Sequence, residues 1–148
     1  MLRSILIGLV AGQRAMTPLA LVAGAARRGT LPDDAPELLR HPAVAAGAVA
    51  LAAAEMAGDK MPSAPNRTVV AGLLARAATA GLAGAALAPK EQRRTAAALA
   101  VATAVASSYV GLALRLAAMR RYGQTTTGFA EDAVLVAGGL AVVGAVGA

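Results

Sequence analysis

The sequence predicts an all-α fold: a polytopic membrane helix bundle of about five helices, forming a single integral-membrane domain over residues 1–148. Three observations carry that expectation. Hydrophobic residues make up 57% of the chain and charged residues only 15%, whereas a soluble domain of this size carries about a quarter charged residues. The charges fall in clumps, leaving uncharged runs near the roughly 20 residues a helix needs to cross a hydrocarbon core. The apolar content is also small in size, with 42 alanines and 16 glycines against two tyrosines, one phenylalanine and no tryptophan. Alanine buries too little area to drive collapse out of water, but small residues let helices approach closely in lipid. A soluble alanine-rich bundle would need charged outer stripes that these segments lack, and alanine disfavours strands. Cysteine is absent, which excludes disulfides and thiolate metal sites without fixing a compartment. The net charge of +6 points to anionic lipid headgroups rather than nucleic acid, because the arginines sit at segment ends or inside apolar runs.

The first predicted helix, Ser4 to Ala26, is apolar except for Gln13, Arg14 and Thr17. Pro18 lies just past its centre and predicts a kink or break over Arg14 to Pro18. No small-residue cleavage site closes the run, so it reads as a retained helix rather than a signal peptide. Arg27 to His41 holds two prolines and five further charges, and reads as a solvated loop that includes His41. Pro42 suits a first helical turn. The second helix, Ala43 to Gly58, is short and ends before Pro62 and Pro65. The third, Thr68 to Ala88, is apolar except for Arg76 and stops at Pro89. After the connector containing Lys90, Glu91, Arg93 and Arg94, the fourth runs from Ala96 to Leu114. Its pattern continues through Arg115 to Tyr122, which implies tilt or an extension into water. The last helix, Gly128 to Val146, is also short, with Thr125, Thr126 and Thr127 placed to cap it. Glu131 and Asp132 would fall in its first turn, where the helix N-terminus favours carboxylates.

Five alternating helices put Arg3, Lys60, Arg67, Arg120 and Arg121 on one side. Arg27, Arg28, Arg40, Lys90, Arg93 and Arg94 fall on the other. That balance leaves orientation open and is also what dual insertion would show. IGLVAGQRAM (Ile7 to Met16) and VGLALRLAAM (Val110 to Met119) are weakly alike, and an offset of three helices would make them an inverted repeat, a common way to build a transporter.

Several residues are candidates for chemistry. Arg14 sits near the middle of the first span, where a charge costs at least roughly 2.5 to 3.5 kcal/mol and so implies a partner or polar cavity. Thr17 and Pro18 share its helical face. Glu55 and Asp59, four residues apart, place two carboxylates on one face, which calls for a cation, a shared proton or Arg14 between them. The competing reading makes Asp59 and Lys60 wet residues at a helix end. Glu131 and Asp132 either cap a helix start or, with Thr126 and Thr127, face Arg115 or Arg14. Arg115 has the alternative of snorkelling to the interface. Three arginines, Arg14, Arg76 and Arg115, against four acids suggest an internal ion-pair network. No Walker loop, GxSxG, HExxH or cysteine pair is present, no catalytic residue or cofactor is indicated, and two acids without histidine or cysteine give no metal site. Ser107 and Ser108 read as helix-to-helix bonds.

AGQRAMTPL (Ala11 to Leu19), EMAGDKMP (Glu55 to Pro62) and RRYGQTTTGFAED (Arg120 to Asp132) together resemble the three polar motifs of a bacterial membrane family, domain of unknown function 4126. Gln13 stands where that family usually has leucine. The resemblance implies a small integral membrane protein. It matches Arg14, Pro18, Glu55, Asp59, Lys60, Pro62, Glu131 and Asp132 to motif positions. The expected function is a transporter or channel for an ion or small charged solute, multi-pass in the inner (plasma) membrane. Membrane lipids and a second copy of the chain, in a homodimer, are the expected partners. The alternatives are a structural or assembly protein whose charges only pair helices, and a lipid-modifying enzyme.

Overall fold

The computed structural model describes residues 1–61 and 69–144. Among the described residues it contains six α-helices, two one-turn 3-10 helices and no strand. The helices are α1 Leu2–Gln13, α2 Thr17–Arg27, α3 Pro42–Gly58, α4 Val70–Ala86, α5 Arg93–Tyr122 and α6 Gln124–Gly144. Two segments are long and apolar enough to cross a membrane: α6, and α5 together with the 3-10 turn before it. The predicted stops at Pro62 and Pro65, the loop cation Arg67, and the ends expected at Thr68 and Val146 lie outside the described residues.

The first predicted helix is two helices. Arg14 is extended (φ −138°, ψ 115°), which ends α1 at Gln13, and Met16 caps α2. Pro18 falls in the first turn of α2, where its missing N–H removes no helical bond, so it starts a helix instead of kinking one. The two halves also run in opposite directions. Gly8 and Gly12 pack against Ala100, Ala104 and Ser107 in ascending order, so α1 is parallel to α5. α6 turns back along α5 after Gly123. Arg14 meets Asp132 and Leu21 packs on Gly139, so α2 is parallel to α6. The loop after α2 accordingly returns to the start of α5, where Arg93 Nη2 donates to the Asp34 carbonyl at 2.5 Å. Residues Ser4 to Ala26 therefore form a helical hairpin with its tip at Arg14 to Met16. At 1.5 Å per residue its arms are about 18 and 17 Å long, little more than half a hydrocarbon core. Hydropathy cannot separate a kinked span from such a reversal, because both leave the same apolar run.

The other elements differ less. α3 is short, as expected, and α5 runs unbroken through Arg115, so VGLALRLAAM does not repeat the break found in IGLVAGQRAM. The last helix is not short. Gly123, at φ 80°, ends α5 in a single residue, so α6 starts at Gln124 and reaches 21 residues. Thr125 to Thr127 thus lie inside the helix, and Glu131 and Asp132 sit about two turns in, away from its N-terminal dipole. His41 is exposed but caps α3, its Nδ1 accepting from the Ala43 N–H at 3.2 Å.

Packing depends on absent side chains. A Cβ on Gly8 would stand 2.5 Å from the Ala100 carbonyl, and one on Gly84 would stand 2.6 Å from the Ala100 Cβ. Any larger residue would push α1 or α4 off α5. The core is alanine with a few larger side chains, Ile7, Val22, Leu21 and Val143 among them. Val70, Leu74, Leu114 and Val134 face outward, while Arg14 is 1% exposed. Large apolar side chains are thus exposed along the helices, while one internal cluster holds charge.

Candidate functional site

The hairpin tip lies where α3 ends and where α6 passes α5. Arg14, held extended between two helices, projects into that junction. Its Nε donates to Asp132 Oδ1 at 2.8 Å, and its Nη2 lies 2.7 Å from the same oxygen, 2.9 Å from Asp59 Oδ2 and 4.0 Å from Glu131 Oε2. Lys60 pairs through Nζ with Asp132 Oδ2, donates to the Met56 carbonyl at 2.9 Å and sits 4.5 Å over the Phe129 ring. Arg115 Nη1 pairs with Asp59 Oδ2 and, at 2.8 Å, with Glu131 Oε2, while its Nη2 donates to the Asp59 carbonyl at 3.1 Å. Among the described residues, three cations and three carboxylates therefore alternate in one cluster contributed by the tip, the end of α3, α5 and α6. Removing any one member strands an opposite charge in a low-dielectric setting.

Glu55 stands beside this cluster but is bound differently. Its Oε1 accepts from the Ala15 N–H at 2.7 Å and its Oε2 from the Met16 N–H at 2.8 Å. These are amides left without helical partners where α1 stops and α2 begins. Among the described residues, no lysine or arginine lies within ion-pair distance of Glu55. Glu55 and Asp59, for which the sequence left a cation, a proton or Arg14 open, take separate partners: backbone amides for the first, Arg14 and Arg115 for the second.

Two cavities approach the tip. One, of 510 Å³, opens between α5 and α6 from the Gly123 corner, with Tyr122 and Thr126 near its mouth and Gln13, Arg115, Thr127 and Glu131 deeper in. The other, of 360 Å³, follows one face of α2 from Thr17 to Arg28 and is closed by apolar side chains of α3 and α6. Thr17 Oγ1 and Thr127 Oγ1 are buried with no hydrogen-bond partner among the described residues.

Arg14, Glu55, Asp59, Lys60, Arg115, Glu131 and Asp132 are thus brought together. Thr17 and Pro18 open α2 next to them, and Thr126 and Thr127 line the larger cavity. Arg115 is 7% exposed and does not snorkel, because two carboxylates hold it inward. Asp59 and Lys60 belong to the cluster and are not wet end residues. Arg76 is buried on α4. Ser108 Oγ donates to the Gly12 carbonyl at 3.0 Å, the helix-to-helix bond expected of it. Two glutamines escaped the sequence reading. Gln13 Nε2 donates to the Ser107 carbonyl at 2.7 Å across bare Gly111. Gln124 Nε2 donates to the Asp59 and Met61 carbonyls at 3.3 and 3.2 Å. For Gln13 a signal existed, an amide in an apolar run directly before the buried arginine. For Gln124 none did. Comparison of the chain with known protein families, with curated proteins and with solved structures finds no match.

Proposed function

We propose that this chain is a small multi-pass transporter or channel of the inner membrane, moving an ion or small charged solute past the hairpin tip and working as a homodimer. The observation that carries the reading is the pair of cavities, which come from opposite ends of the molecule and are separated by the tip and its charges. Half-helices meeting at a polar centre are a recurrent way for membrane transporters to present backbone groups to a charged substrate. The apolar exterior suits lipid, and the motif resemblance to a bacterial membrane family supports the same placement. A second copy would complete the wall of the 510 Å³ cavity, which α5 and α6 leave open. The test is ion flux in proteoliposomes: the Arg14→Gln/Glu55→Gln double variant is expected to stay folded yet lose flux, and unchanged flux would refute the proposal.

One observation favours a second reading, a packing role: Arg14 is ion-paired with two carboxylates. If pairing were all, exchanging Arg14 and Asp132 between their positions would preserve every property of the protein. On the transport reading, the exchange abolishes flux even where the fold survives.

A further inference from the structure

We propose that the hairpin tip is a binding site for a small monovalent anion of halide size, and that the Glu55 carboxylate fills this site until it takes up a proton. The inference rests on the transport reading above, to which it adds a substrate class.

Four observations meet at this point. The Ala15 and Met16 N–H groups converge on one carboxylate at the N-terminus of the 11-residue α2, an arrangement that suits any small anion. Thr17, the next residue, is 3% exposed and lines the 360 Å³ cavity, and its Oγ1 has no hydrogen-bond partner among the described residues. Its hydroxyl is a further donor, on the residue that follows the two amides, and Glu55 does not use it. The same cavity runs along Ala20, Leu21 and Gly24 to Arg28, an exposed cation at its far end that would draw anions in. Finally, Arg14, Lys60 and Arg115 pair with Asp59, Glu131 and Asp132, and among the described residues Glu55 is held by backbone amides and by no cation.

The electrostatics then select the ligand. One negative charge at the amides is compatible with the paired cluster, and Glu55 supplies it. When a proton from water adds to a Glu55 oxygen, that oxygen becomes a hydroxyl and the neutral carboxyl loses its hold on two N–H donors. An external anion can replace it with no change in net charge. Asp59, one turn further along α3, and Asp132 on α6 oppose a second negative charge, which favours monovalent species. Of the other charged groups near Glu55, Arg14 and Lys60 are already paired. Glu37, Arg40 and His41 lie at the opposite end of α3, about 20 Å away along the helix. Each anion bound therefore takes up one proton.

The test is chloride titration of the purified, lipid-reconstituted protein, read from the amide NMR resonances of Ala15 and Met16. Chloride should move both, with an affinity that rises about tenfold for each pH unit lowered while Glu55 is ionised. Glu55→Gln should bind with no pH dependence, and Thr17→Val should bind more weakly with the pH dependence intact. Chloride that leaves these amides unmoved at every pH, or moves them equally at all pH values in the wild type, overturns the proposal. The wild-type series alone decides this if Glu55→Gln does not fold. Flux separates the two readings: cation movement without chloride binding removes the anion site and keeps transport, whereas linked binding without flux of any ion keeps the site and removes transport.

Discussion

Arg14 shows most directly how a single side chain fixes this molecule. At 1% exposure it joins α3 and α6 through Asp59 and Asp132, so Arg14→Leu leaves Asp59, Glu131 and Asp132 to share Lys60 and Arg115. Breaking such a group from one side costs about 3 to 5 kcal/mol, and thermal unfolding of the purified protein should show a loss of that order. Asp132→Asn in addition should restore part of it by removing one stranded charge. Most of the site was legible at this scale, because an arginine or carboxylate in an apolar run has to find a partner. The identity of the partners was not. Glu55 is bound by backbone amides, and no spacing of side chains announces a main-chain donor.

Among the elements, the hairpin was the least legible, because its reversal depends on the extended conformation of Arg14 and not on Pro18. Pro18→Ala is accordingly expected to leave the fold intact and change stability by less than about 1 kcal/mol; a circular dichroism melt checks this. A proline-dependent kink would instead straighten. The glycines of α1 behave oppositely. Gly12→Val would drive side-chain atoms into Ser107 and the Ala104 carbonyl, with an overpacking cost of about 1 to 3 kcal/mol. Gly47→Ala on α3 meets nothing within 4 Å and should stabilise by roughly 0.5 to 1 kcal/mol. Both follow from melting curves in the same detergent. The small-xxx-small spacing of Gly8 and Gly12 is a readable packing signal, although in a chain with 42 alanines it is one of many. The length of α6 was misjudged because Gly123 makes the whole corner, which turned three threonines expected as caps into helix interior.

For the whole molecule, the reversal at Arg14 changes the charge balance between the two ends. With α1 and α2 returning to one end, Arg3, Arg27, Arg28, Arg40, Lys90, Arg93 and Arg94 share it. Among the described residues, Arg120 and Arg121 lie at the other, and Lys60 is drawn into the ion cluster. Lysine and arginine concentrate on the cytoplasmic side of membrane proteins, so on the membrane placement proposed above the Met1 end is expected to face the cytoplasm, removing the tie that five alternating spans produced. The chain has no cysteine, which makes the check direct. In intact cells a membrane-impermeant maleimide should label Arg121→Cys and spare Arg28→Cys until the membrane is opened. Equal labelling of both would mean that the chain inserts both ways.

The hairpin also has a consequence for biogenesis. Its two arms precede in the chain the surfaces that seat it, Ala100 to Ser107 on α5 and Gly139 on α6. The hairpin can therefore take its seat only once α5 and α6 are in place, and the ion cluster closes only as that docking completes.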